Sequence, residues 1–192
     1  MNAQEVLDFW FLPPSHAGHG KPRAEWFRKD DAFDATVRER FGAAIDQAVA
    51  GGLREWDEGG PRGVLARILV LDQFTRNAHR GTPASFAGDQ LGLQAAQQLV
   101  DSGDYLALTP LERSFVYMPF EHAEDARMQE RAIELFTELA ASHEGFGEQL
   151  DYAHRHRGVI ARFGRFPHRN AVLGRASTPE ELAYLSQPGA GF

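Results

Sequence analysis

Charged and imidazole side chains in this sequence occupy helix faces whose other members are apolar. Leu65, Ile68 and Leu69 recur at three- and four-residue spacing, and the same steps lead to Asp72 and then Arg76. The spacing predicts that both charges point inward. They form an i,i+4 pair of opposite sign, so each can neutralise the other, whereas an unpaired buried charge is strongly destabilising. Two interpretations stay open: a buried ion pair that fixes helix register, or part of a functional site.

A second polar stripe precedes an apolar helix face. The face formed by Ile133 and Phe136 continues backward at helical spacing onto Gln129, Asp125 and His122. On one face of a helix, a carboxylate three residues from a histidine can orient its imidazole or share a metal ion with it. His122 and Asp125 are therefore the candidate catalytic residues. A metal site needs at least one further donor, which the spacing does not supply, so we predict no metal site.

A third inward polar group is His156. It lies in the middle of an apolar arc that contains Tyr152, Val159 and Ile160, so we predict that its imidazole is largely buried. A histidine on an apolar face is more often a hydrogen-bonded core residue than a ligand. His156 can also meet the other inward polar groups, and the spacing alone does not decide between these roles.

A loop rich in arginine and phenylalanine follows the helix that contains His156. Residues 162–170 read RFGRFPHRN, in which a glycine and a proline end the helix. Arg165, His168 and Arg169 suit the recognition of a carboxylate or phosphate, with stacking on the phenylalanines. Arginines that bond the last carbonyl groups of a helix would give the same pattern, so a capping role is the alternative.

Helices must position all of these groups, because no stretch alternates between apolar and polar residues over strand length. Residues 109–112 (TPLE) and 178–181 (TPEE) are capping boxes with proline in the first helical position, and both predict helix starts. We predict an all-α fold of seven to eight helices packed as antiparallel pairs. With 192 residues and 43% hydrophobic content, residues 1–192 are expected to form one domain.

Composition excludes several classes of function. The net charge of −7 disfavours nucleic acid as a partner, and the absence of cysteine excludes disulfides and thiolate chemistry. The longest clean apolar run, residues 68–71, is far too short to cross a membrane, and the N-terminus lacks the features of a signal peptide. We therefore expect a cytoplasmic protein without a membrane partner. No dinucleotide, Walker, zinc-protease or serine-esterase motif is present, and we predict no cofactor.

Short motifs spread along the chain point to a family. They are VLDFWF (6–11), WF (26–27), DQFTRN (72–77), RGTP (80–83), EHAED (121–125), RFGRFPHRN (162–170) and LGR (173–175). On these motifs the chain resembles, over nearly its whole length, the bacterial domain of unknown function 924 family. The resemblance implies an all-helical, tetratricopeptide-like array without a regular sequence repeat and a cytoplasmic location, but no established reaction. Thr75 and Ala123 stand where the family usually has proline and serine, and the second removes a candidate catalytic hydroxyl.

Three hypotheses about function follow. The first is a binding module that holds a small anionic ligand or a peptide carboxylate in a polar pocket edged by arginine and histidine. Its candidate ligand-binding residues are Asp72, Arg76, His122, Asp125, Gln129, His156, Arg165, His168 and Arg169. The second is a hydrolase-type enzyme in which a histidine–carboxylate pair acts as general base, with or without a metal ion. The third is a purely structural polar core with a protein-interaction surface elsewhere.

Overall fold

A computed structural model describes residues 1–191, and every regular element in that range is helical. The helices are α1 Ala3–Phe11, α2 Asp31–Val49, α3 Pro61–Leu69, α4 Thr75–Ala78, α5 Asp89–Asp101, α6 Pro110–Glu121, α7 Ala126–Ser142, α8 Gly147–Phe163 and α9 Pro179–Leu185. A π-helical turn, Val70–Phe74, joins α3 to α4. The predicted all-α class is confirmed.

Local sequence chemistry sets several helix ends. Thr109 and Glu112 form the predicted capping box at the start of α6, and Thr178 and Glu181 form the one at the start of α9. In each box the threonine oxygen and the glutamate carboxylate accept from backbone N–H groups that no helical carbonyl reaches. Gly164 ends α8 with a φ of 69°, in the left-handed region that favours glycine.

The described helices belong to two compact units. The first comprises residues 1–80 and 84–119, and the second comprises residues 81–83 and those from 120 onward. Helix α6 runs from the first unit into the second, where only its last two residues lie. The single domain over residues 1–192 stays a prediction.

The first unit has an aromatic core. The rings of Trp10, Phe41, Phe74 and Phe115 are buried, and the centroid of Trp10 lies 5.5 Å from those of Phe74 and Phe115. Aromatic pairs at such distances contribute about 0.5–1.5 kcal/mol each beyond the area that they bury. The backbone of the π-helical turn packs closely against Gly88, just before α5. A Cβ at position 88 would lie only 2.1 Å from the carbonyl oxygen of Leu71, so this close approach requires glycine.

The second unit is built on α7 and α8. Glu130, near the start of α7, accepts from Arg157, in the second half of α8, at 2.6 Å. With the short connection of residues 143–146, this contact shows the two helices antiparallel, as predicted for neighbours. Val159, Ile160 and Phe166 form a buried cluster in this unit. A tetratricopeptide-like arrangement stays a prediction.

None of the helices in residues 1–191 combines the length and apolar character that a membrane span requires.

Candidate functional site

In the first unit, the predicted inward pair of Asp72 and Arg76 is confirmed. Asp72 is 1% exposed, and its Oδ1 accepts from Nη1 of Arg76 at 3.0 Å. Arg76 also makes two hydrogen bonds to Asp89, of 2.8 and 3.1 Å, and Gln73 donates to the other oxygen of Asp72. Burial acts to lower the pKa of Arg76, but the charges of Asp72 and Asp89 outweigh burial and raise that pKa above its usual value.

The predicted helix through residues 122–125 is wrong, and with it the spacing argument for Asp125. Helix α6 ends at Glu121 and α7 begins at Ala126, so neither His122 nor Asp125 is helical. Asp125 is the N-cap of α7, and its carboxylate accepts from the backbone N–H groups of Arg127 and Met128 at 2.8 and 3.1 Å. An aspartate before a helix favours this role because the first N–H groups of a helix have no partner within it.

Gln129 is fully buried, as its position on the apolar face predicted. Its Nε2 donates to the carbonyl oxygens of Glu121 at 2.6 Å and Ala123 at 2.8 Å. These bonds fix the backbone between α6 and α7, which is the segment that carries His122. Gln129 therefore positions this segment from the first turn of α7.

His156 is buried, as predicted, and its partner is a carboxylate outside the predicted site residues, that of Glu121. Its Nδ1 lies 2.7 Å from Oε1 of Glu121 and 2.9 Å from the carbonyl oxygen of Tyr152. Both neighbouring atoms are acceptors, so Nδ1 carries a proton and donates. In the neutral imidazole Nε2 is then the basic nitrogen. The structure thus pairs His156 with Glu121, a carboxylate outside the predicted pair of His122 and Asp125.

Basic side chains converge around the fully buried ring of Phe166. The centroids of His156 and His168 lie 5.5 and 5.6 Å from that of Phe166, and the guanidinium carbon of Arg169 lies 4.5 Å from it. The rings of His122 and His156 are 6.1 Å apart, and Arg169 donates to the carbonyl oxygen of His122 at 3.0 Å. We call His122, His156, His168, Arg169 and Phe166 the histidine cluster.

The environment of His168 disfavours its charged form. Burial is the main cause, and the neighbouring Arg169, His156 and His122 act in the same direction. The negative charge of Glu124 opposes them but does not compensate, and the pKa of His168 falls to about 4. His168 is therefore neutral at physiological pH.

Glu124 holds the loop that carries the cluster. Its carboxylate accepts from the backbone N–H of Phe166 at 2.7 Å and from Arg175 at 2.6 and 2.9 Å. Burial acts to raise the pKa of Glu124, but these bonds outweigh burial and lower the pKa. Arg175 also bonds the carbonyl oxygen of Phe166, at 3.1 Å. The contacts fix the backbone that presents His168 and Arg169.

The two arginines predicted at the pocket edge have different positions. Arg165 makes two hydrogen bonds to Glu181, of 2.7 and 2.8 Å, and one to the carbonyl oxygen of Ala176. Arg165 is thus bound by groups of the chain itself, but not by the last carbonyl groups of a helix, as the capping alternative had it. Hydrogen bonds from Arg165 and the backbone of Thr178 lower the pKa of Glu181 to about 2. Arg169 is buried, and so lies inside the histidine cluster and not at an exposed edge.

Two further features bear on ligands. Within residues 1–191, no three or more histidine, aspartate or glutamate side chains are arranged to hold a metal ion. A cavity of about 300 Å³ in the first unit is lined mainly by aliphatic side chains. It includes none of the predicted site residues. Of the predicted residues in the second unit, the structure places His122, His156, His168 and Arg169 in the histidine cluster, and Gln129 bonds the segment that carries His122. Asp125 and Arg165 have the capping and Glu181 contacts described above.

Comparison with known proteins identifies relatives without a stated activity. The family model described as "Bacterial protein of unknown function (DUF924)" matches residues 6–189. A solved structure of a protein of unknown function from Agrobacterium tumefaciens is similar, with 39% sequence identity, a TM-score of 0.82 and 96% of each chain covered. No protein with a curated description matches the chain.

Proposed function

For this chain, which belongs to the bacterial family of unknown function DUF924, we propose a binding function: the histidine cluster holds a small oxyanion. The ligand class comprises carboxylates and phosphates, either free or at the end of a larger molecule. One observation carries the proposal. Two imidazoles and a guanidinium lie against one buried phenylalanine, a third imidazole, that of His122, lies beside His156, and His168 is kept neutral there.

The charges of the second unit support an anion as the ligand. The carboxylates beside the cluster are engaged, since Glu121 contacts His156 and Glu124 accepts from Arg175. Arg169 brings a permanent positive charge into the cluster, and its guanidinium geometry matches planar oxyanions. Arg169, His156 and His122 all act against a positive charge at His168, and the same potential favours an anion beside that imidazole.

Fixed geometry also supports a binding role. Glu124 and Arg175 hold the backbone on each side of Phe166, and Gln129 holds the segment that carries His122. Side chains that are positioned before the ligand arrives lose less conformational entropy on binding. The networks around the cluster therefore give a small anion a preformed set of donors.

Inorganic phosphate is the probe that tests the proposal. The melting temperature of the parent should rise with phosphate concentration, since a ligand of the native state stabilises by RT ln(1 + [L]/Kd). Arg169→Lys keeps the charge but removes the planar donor, and should weaken the phosphate response. Arg157→Gln removes a surface cation on α8, outside the cluster, and serves as the matched control.

The comparison between these two variants separates binding from a general salt effect, because phosphate stabilises many proteins by exclusion from their surface. The proposal predicts a full response in Arg157→Gln and a reduced one in Arg169→Lys. Equal responses in the parent and both variants would contradict it. His168→Gln is a second cluster variant that replaces a neutral side chain, so it should fold even where Arg169→Lys does not.

The Glu121–His156 pair favours enzyme activity as a second candidate function. A carboxylate that accepts from Nδ1 fixes the tautomer in which Nε2 is the basic nitrogen, and this is the arrangement of a general base. If the protein is a hydrolase, turnover of a chromogenic phosphate or carboxylate ester should fall in His156→Gln and persist in His154→Gln, an exposed histidine on the same helix. Turnover that is equal in both variants would contradict this candidate.

A further inference from the structure

The surroundings of His168 bear on how the histidine cluster is charged. Its ring lies 5.6 Å from that of Phe166, which the ring of His156 on α8 and the guanidinium of Arg169 also contact. His122, whose ring is 6.1 Å from that of His156, and Glu124 lie in the segment between α6 and α7. Glu121 contacts His156, and Arg175 contacts Glu124. The C-terminal segment approaches at Gly191, which is uncharged.

These neighbours act against a positive charge on His168. Burial removes water from the imidazole, and Arg169 and the two other histidines add positive potential, which outweighs the opposing effect of Glu124. The pKa of His168 is therefore about 4, and its imidazole is neutral between pH 5 and pH 8. An anion in the cluster would add negative charge beside His168 and so favour its protonated form.

We infer that the oxyanion is bound together with a proton, which His168 takes up. The inference rests on the proposed function, since it concerns the same cluster. Neutral imidazole and anion combine with one proton from solvent, and the resulting imidazolium donates to the anion. A charge-assisted hydrogen bond of this kind is about twice as strong as a neutral one. The protein would thus bind its ligand more tightly as the pH falls.

Linkage fixes the sign and size of the effect. When binding takes up one proton, the association constant rises by up to about tenfold for each unit that the pH falls. The association constant rises over the pH range that lies between the pKa of His168 in the complex and its pKa of about 4 in the free protein. Above the pKa of the complex, binding is weak and independent of pH.

Isothermal titration calorimetry with sulfate tests the inference, because sulfate keeps its charge over this range whereas phosphate titrates. The parent should bind sulfate more tightly at about pH 5 than at about pH 8. The apparent enthalpy at about pH 5 should also differ between buffers of different ionisation enthalpy, since a proton is taken up. His168→Gln should bind sulfate with an affinity that does not change with pH.

His154→Gln, on the exposed face of α8, is the matched control and should keep the pH dependence of the parent. Sulfate binding with a constant affinity and no proton uptake in the parent would overturn the inference and leave the proposed function standing. A pH dependence that persists in His168→Gln would also overturn it, because another group would then take up the proton. Absence of sulfate and phosphate binding at every pH would refute the proposed function itself.

Discussion

The Asp72–Arg76 pair allows a quantitative test of the helical spacing argument. In Arg76→Ala, Asp72 would keep its bond from Gln73 but lose the positive charge of Arg76. Asp72 is only 1% exposed, so water could not replace that charge. Breaking a buried ion pair in this way costs about 3–5 kcal/mol. Asp72→Ala should cost less, about 1.5–3 kcal/mol, because Arg76 keeps two hydrogen bonds to Asp89.

A double-mutant cycle in urea measures the coupling between the two side chains. Trp10, Trp26 and Trp56 are the tryptophans of the chain, and all lie in the first unit, so their fluorescence reports on its unfolding. We expect a coupling energy of about 2 kcal/mol, within the range measured for residues in direct contact. Additive losses, with a coupling near zero, would refute the assignment of these residues as a buried pair.

Two further predictions concern packing and pH. Gly88→Ala should lower the free energy of unfolding by about 1–3 kcal/mol, since the new Cβ would meet the Leu71 carbonyl oxygen at 2.1 Å. Gly42→Ala, in α2 with open space around it, is its control and should raise stability by about 0.5–1 kcal/mol in the same urea assay. The lowered pKa of Glu181 predicts stability that is present above about pH 4.5 and lost toward pH 2. Arg165→Gln should make this acid-dependent loss smaller, and an unchanged acid profile would contradict the pairing.

Helical periodicity predicted the parts of the site that lie within one regular element. Asp72 and Arg76 were found because the apolar spacing of α3 leads to them through the π-helical turn, and His156 was found on the apolar arc of α8. Asp89 was missed because it belongs to another helix. Its contact with Arg76 is a matter of tertiary packing, which periodicity does not describe.

The errors arose at helix ends. The sequence between α6 and α7 keeps an apparent helical spacing, so Asp125 was placed inward although aspartate is a strong N-cap residue. Recognising Asp125 as the cap would have shown that the helix begins after it, so that its polar stripe does not reach back to His122. Glu121 was missed for the related reason that it is the last residue of α6, although it lies four residues after the buried Tyr117. That spacing was a usable signal for an inward carboxylate.

The role of Arg165 depends on a partner 16 residues away, Glu181 in α9. The TPEE capping box did identify Glu181, but only as a residue that bonds its own helix start. One carboxylate serves both contacts, and a capping motif does not show the second. Arginines in a loop thus have the same sequence pattern whether they bind a ligand or an acidic side chain of the chain itself.

Nuclear magnetic resonance of the histidine side chains during a sulfate titration at about pH 5 measures binding at the cluster residue by residue. The imidazole signals of His122, His156 and His168 should shift along one saturable curve, whereas that of the exposed His154 on α8 should not. The His168 signal should move toward the protonated form as the site fills. Cluster signals that stay unchanged, or that shift linearly and in parallel with His154, would contradict the assignment of the histidine cluster as an oxyanion site.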